Sequence, residues 1–142
     1  MINITNYSIS VIGLGYVGIP LSSLLALKYN VVGFDVDNTK VNGLHNGEIP
    51  VDEPCLNGYF SRAILNNKLK ITDIVDDIKN TDIKIITVGT PYNKDECIID
   101  TTQLVSSLRI VIPQLKEGDI VILKSTVPRK TSFPHHKETL KI

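Results

Sequence analysis

The stretch Ser8-Ile9-Ser10-Val11-Ile12-Gly13-Leu14-Gly15-Tyr16-Val17-Gly18-Ile19-Pro20-Leu21 decides the fold. Its opening, Ser8 to Ile12, is a short β-branched and apolar run, which predicts a strand buried on both faces. Glycines then arrive at positions 13, 15 and 18, and beyond them Leu21, Leu24 and Leu25 recur at helical intervals toward Lys28 and Tyr29. Pro20 falls in the first turn of that helix, where its missing N–H costs nothing.

Outward from this unit the alternation continues. Val31 to Phe34 reads as a second strand ending in Asp35, and a helix from about Thr39 to Asn46 follows, stopped by Gly47. Asp52-Glu53-Pro54 supplies a capping residue, a first-turn acid and a first-turn proline, which predicts a helix over roughly Pro54 to Leu65. Leu69 to Thr72 is a short strand and Asp73 to Asn80 a brief helix. Ile83 to Val88 is the clearest strand in the chain, closed by Gly89-Thr90-Pro91. A polar loop from Tyr92 to Ile99 leads to Asp100, an N-cap for a helix carrying Leu104, Leu108, Val111 and Leu115, with Pro113 fraying its last turn. After the Gly118-Asp119 turn, Ile120 to Lys124 is the fifth strand. Strands alternating with helices imply right-handed crossovers, so the expected class is α/β: a Rossmann-like doubly wound parallel sheet, incomplete at about five strands.

Composition narrows the function. The 142 residues hold 15 Lys+Arg against 15 Asp+Glu, with 42% hydrophobic and 21% charged residues, the profile of an ordinary globular domain. A formal charge of zero gives no electrostatic case for nucleic acid, so any phosphate must be held locally. No run approaches the roughly 20 apolar residues of a membrane span, and Met1 to Ser10 lacks the pattern of a signal peptide; no membrane partner and a cytoplasmic location are expected. Cys55 and Cys97 have neither CxxC spacing nor a neighbouring His cluster, and His135-His136 has no third ligand in view, so no metal site is expected.

Gly-x-Gly-x-x-Gly alone is a weak signal, but here it follows a predicted strand, opens a predicted helix and is followed about 20 residues on by an acid ending the next strand, as a dinucleotide fingerprint requires. Gly13 permits the tight turn, Gly15 lets the backbone approach a pyrophosphate, and Gly18 allows close packing of helix on strand. The helix start offers N–H groups and a positive field to the anion. Asp35 would accept hydrogen bonds from both hydroxyls of the adenine ribose and repel the extra phosphate of NADP, which makes NAD the expected cofactor. The competing reading is a glycine-rich turn that binds nothing, with Asp35 solvated. Lys40 sits either over the adenine ribose or on an exposed helix face. Thr90 and Thr126, beyond the fourth and fifth strands, are either site residues at the carboxyl edge of the sheet or ordinary strand-ending residues.

Five blocks in this order, VIGLGYVGIPL (residues 11–21), VVGFDVD (31–37) with Lys40 after it, VDEPCL (51–56), ITVGTP (86–91) and LKSTVP (123–128), resemble the NAD-binding domain of the UDP-glucose/GDP-mannose dehydrogenase family. The resemblance runs from about Ser8 to Pro128. It implies oxidation of the C6 alcohol of a nucleotide-linked sugar to a carboxylate in two hydride transfers, consuming two NAD. It also implies that Tyr16 and Val17 contact the pyrophosphate by backbone and that Asp35 and Lys40 hold the adenosine end. Thr90 and Thr126 would approach the nicotinamide side, Thr126 also placing the catalytic water. Pro20 leans the resemblance toward members acting on UDP-N-acetylhexosamines.

The departures matter as well. Where the family commonly has Glu-Pro-Gly-Leu, this chain has Glu53-Pro54-Cys55-Leu56, and neither Cys55 nor Cys97 stands where the family's nucleophile lies. The family's long connecting helix and UDP-sugar-binding domain, with its catalytic Cys, Lys and Asn, are absent from these residues. The expected organisation is therefore an NAD-binding Rossmann domain over residues 1–130 and a tail, 131–142, at a truncation point, where the likeness fades. The leading expectation is the NAD-binding part of a nucleotide-sugar dehydrogenase, inactive alone. The alternatives are a non-catalytic NAD-binding module or decayed remnant, and a different Rossmann dehydrogenase such as a 3-hydroxyacid enzyme. An unfinished sheet further predicts self-association.

Overall fold

The computed structural model describes residues 7–94 and 98–126. Cys97, Val127, Pro128, the boundary at residue 130 and the tail with His135 and His136 lie outside the described residues.

β1 (Ser8–Ile12) takes the centre of a parallel sheet because four of its five residues are buried and both its edges are paired. On one side it pairs with β2 (Asn30–Phe34), which pairs with β3 (Leu69–Thr72). On the other it pairs with β4 (Ile83–Ile86), which pairs with β7 (Ile120–Leu123). The order β3-β2-β1-β4-β7 reverses direction between β1 and β4, which marks the switch point where such sheets open a crevice at their carboxyl edge.

The pleat divides the core. Ile9, Val11 and Ile85 pack with Ile19, Phe60 and Ala63 beneath the helices α1 (Gly18–Leu25) and α3 (Leu56–Leu65); Ile12 and Ile86 pack with Leu104 and Val111 of α4 (Thr102–Val111) on the opposite face. This is the doubly covered parallel sheet expected from the alternation of elements. The second face also buries Lys84 completely, its Nζ 2.7 Å from Asp119 Oδ2 and 2.6 Å from the Thr81 carbonyl.

Several boundaries depart from expectation for physical reasons. Asp52 caps no helix: Pro54 and Cys55 form the centre of a turn closed by Leu56 N–H to Glu53 O, 3.2 Å, and α3 begins only at Leu56. Cys55 lies at φ 66°, ψ −4°, the value of the third residue of a type II turn, where glycine is preferred. Asp100 does accept an α4 N–H, that of Thr102 at 2.8 Å, but from one residue before the N-cap. α4 ends at Val111 rather than reaching Leu115, because Pro113 has no N–H to continue the ladder and the chain tightens into a 3₁₀ turn, Ile112–Gln114. The segment expected as a helix after β3 is likewise a 3₁₀ turn, Val75–Ile78. Within the loop from Tyr92 to Ile99 the sequence reading missed two short antiparallel strands, β5 (Tyr92–Asn93) and β6 (Ile98–Ile99). α2 (Asn38–His45) forms as expected, with Asp37 as its N-cap.

Candidate functional site

The carboxyl ends of β2 and β4 meet the glycine turn that follows β1, and the exit of β7 lies against that of β4. Gly13 N–H donates to Phe34 O at 2.8 Å, extending the β1–β2 ladder by one bond. Gly13 then turns with φ 97°, and a Cβ there would lie about 3 Å from the backbone N and Cα of Val88, so both conformation and space demand glycine. Gly18 is required by packing alone, since a Cβ would overlap the Gly13 carbonyl group at the start of α1. Gly15 is different: a Cβ there would meet no atom within 4 Å. The fold explains two glycines of the motif and leaves open space beside the third.

That space lies at the start of α1, which has no acidic residue in its first turn and no side-chain cap. Among the described residues no acceptor meets the N–H groups of Gly15, Tyr16 and Val17, while the side chains of Tyr16 and Val17 are exposed. Free N–H groups in the uncompensated field of a helix start suit an anion.

Asp35 is not solvated. It is 7% exposed; Oδ2 accepts from Leu14 N–H and Lys40 Nζ, both at 2.7 Å, and Oδ1 accepts from Asp37 N–H at 3.0 Å. Lys40 is therefore not a free surface lysine but the ion-pair partner of Asp35. Leu14 is fully buried, and its side chain lies where a Cβ on Gly33 would crowd it.

On the other side of the switch point, Thr90 Oγ1 donates to the Thr126 carbonyl at 2.6 Å and Ser125 Oγ to the Val88 carbonyl at 2.7 Å, tying the β4 and β7 exits together. Sequence reasoning missed Thr87, whose buried Oγ1 lies 2.7 Å from Gly13 O and 3.0 Å from Ile12 O. Thr87 and Val88 thus connect the two halves of the site through the glycine turn. A threonine immediately after a buried apolar pair gives no local hint of that task, because its partners lie 74 and 75 residues away.

Among the described residues no group of three His, Cys, Asp or Glu could hold a metal, and no helix is long and apolar enough to cross a membrane. The family model for the NAD-binding domain of UDP-glucose/GDP-mannose dehydrogenases matches residues 7–141. The chain belongs to this family.

Its matched part is the NAD-binding domain, so NAD is the cofactor of this family member. The open space at Gly15, the bare start of α1 and the buried acid ending β2 fit such a cofactor. The chain is 38% identical over 136 residues to the UDP-N-acetyl-D-mannosamine dehydrogenase of Methanococcus maripaludis, with 89% of this chain and 31% of that relative covered. It is 33% identical to the UDP-glucose 6-dehydrogenase of Rickettsia typhi, covering 85% of this chain and 28% of the relative. The solved UDP-N-acetyl-mannosamine dehydrogenase of Staphylococcus aureus superposes with a TM-score of 0.84 at 31% identity, over 93% of this chain and 32% of that one. The chain therefore spans about a third of the length of the relatives it matches.

Proposed function

We propose that this domain serves an enzyme that oxidises the C6 alcohol of a UDP-sugar, a UDP-N-acetylhexosamine or UDP-glucose, to the uronate. Membership in the family and the names of the relatives support the reaction class; the relatives include dehydrogenases of both kinds of sugar. The single observation that carries the cofactor site is the contrast among the three glycines of the motif, since of these only Gly15 is free of any contact that would demand it.

In this reading the N–H groups of Gly15, Tyr16 and Val17 receive the pyrophosphate, and Gly13 and Gly18 hold the turn that presents them. Asp35, through the remaining acceptor capacity of Oδ1, and Lys40 hold the adenosine end. Thr90 and Thr126, already bonded to one another, flank the nicotinamide side, with Thr126 placing the catalytic water. NAD supplies the hydride acceptor. A thiolate nucleophile and the sugar-nucleotide pocket belong to the further domain that family members carry, so residues 1–142 alone bind cofactor without completing the oxidation.

Among the described residues β7 is an edge strand with Ile120, Val121 and Ile122 each at least 40% exposed, which supports self-association of this chain through that edge. A monodisperse monomer in sedimentation at high concentration counts against it.

Calorimetric titration with NAD, for the wild type and for Gly15→Val, tests the site. Saturable binding lost in a folded Gly15→Val protein is expected; no binding to a folded wild type overturns the reading. Turnover with UDP-sugars then separates a complete enzyme from a cofactor-binding module.

A further inference from the structure

Repulsion of a 2′-phosphate by the acid ending β2 assumes a bare negative charge. Here Lys40 Nζ lies 2.7 Å from Asp35 Oδ2, so a ligand meets the acid as half of an ion pair. At that separation the two fields largely cancel a few ångströms away. The cation is also the more accessible member: the side chain of Lys40 is 30% exposed and that of Asp35 8%.

The donor inventory points the same way. An ionised carboxylate only accepts, and all three bonds to the carboxylate of Asp35 are accepted ones, so its oxygens cannot hold an ionised phosphate. An ammonium carries three donors, and the side-chain bond recorded for Lys40 among the described residues is the one to Asp35. A ribose 2′-hydroxyl can donate to Asp35 Oδ1; a fully ionised 2′-phosphate cannot, and the cation beside that acid is the ammonium of Lys40.

We propose that Lys40 sets how strongly this protein discriminates NAD from NADP. Its ammonium screens Asp35 and offers a 2′-phosphate a charge-assisted hydrogen bond, so the preference for NAD is moderate with Lys40 present and steep without it. This rests on the dinucleotide site proposed above and adds to it the residue that grades its selectivity.

The test titrates the intact protein with NAD and with NADP for the wild type, Lys40→Met and Lys40→Arg. Both cofactors lose a contact in Lys40→Met, but the ratio of the two dissociation constants is expected to rise about tenfold or more, because NADP alone also loses a charge-assisted bond to its phosphate and faces the unscreened acid, and to stay within about twofold in Lys40→Arg. Should Lys40→Met not fold, Lys40→Gln carries the same comparison. An unchanged ratio in the uncharged variant, with NAD still bound, overturns the role of Lys40 and leaves the cofactor site standing. So does a wild type that binds NAD but shows no NADP binding at millimolar concentration. Failure of NAD to bind the wild type instead overturns the site itself, and this inference with it.

Discussion

The carboxylate of Asp35 accepts the backbone N–H of Leu14 at 2.7 Å, in a buried bond that links the end of β2 to the glycine turn 21 residues earlier. Gly13 makes the last backbone bond between these strands, to Phe34, so the side chain of Asp35 continues the pairing where the backbone diverges. The residue proposed to meet the ribose thus also holds the loop proposed to meet the pyrophosphate. Asp35→Ala strands the Leu14 N–H, and a cost of about 1–3 kcal/mol is expected. Asp35→Asn, whose amide oxygen can still accept from Leu14, should recover part of that stability. Urea midpoints of the two variants measure the difference; equal midpoints for Ala and wild type would show that the bond holds nothing.

The three glycines should separate in a stability assay. Gly13→Ala meets the Val88 backbone in a left-handed conformation and Gly18→Ala meets the Gly13 carbonyl, so each should lose about 2 kcal/mol or more. Gly15→Ala, with open space and no positive φ, should change stability by less than about 0.5 kcal/mol. Thermal unfolding of the three variants gives the comparison, and a Gly15→Ala protein as unstable as the other two would contradict the contact geometry.

Cys55 is a non-glycine residue held at φ 66° in the turn before α3, with its side chain exposed. The left-handed conformation costs about 1–2 kcal/mol for such a residue, and glycine avoids this at a smaller entropic cost in the unfolded chain. Cys55→Gly should therefore raise stability by up to about 1 kcal/mol, read as a higher denaturant midpoint. A lower midpoint would mean that the thiol makes a contribution its exposure does not suggest.

Lys84 and Asp119 test the buried pair asymmetrically. Asp119→Ala leaves a fully buried ammonium with only the Thr81 carbonyl, an expected loss of about 3–5 kcal/mol. Lys84→Met leaves a carboxylate that still accepts from Lys116 N–H at 2.9 Å near the surface, so it should cost less. The pair also gives a pH dependence. Burial pushes the Asp119 carboxyl up, but hydrogen bonds from Lys84 and Lys116 outweigh it and hold the pKa below the usual carboxylate range. A lowered folded value means the contribution is present above about pH 4 and is lost as pH falls through the folded value, more acidic still. Unfolding from pH 2 to 7 should show an acid loss that is smaller in Lys84→Met.

By itself the sequence determined the class of fold and the edge of the sheet at which the proposed site lies. Glycine spacing, the β-branched runs and the acid after the second strand are local patterns, and local patterns dictate turns, strands and their alternation. The parallel sheet, with Gly13, Asp35, Thr90 and Thr126 all at its carboxyl edge, followed from topology rules that need no coordinates; the strand order came from the structure. What Asp35 and Lys40 do to each other was decided only by the tertiary structure. An acid at a strand end is equally compatible with solvent, a ribose or a buried ion pair until Leu14, brought in from the turn after β1, supplies the donor that draws it inside. Thr87 and Lys84 escaped the sequence reading for the same reason: their partners, Gly13 and Asp119, lie 74 and 35 residues away, and nothing in their own neighbourhoods encodes the contact. The start of α3 shows the converse, since a capping sequence at Asp52 yielded to the turn that Pro54 and Cys55 make. Short-range chemistry specifies which elements form; the bonding state of each side chain at their junctions depends on which distant groups the packed sheet brings within about 3 Å.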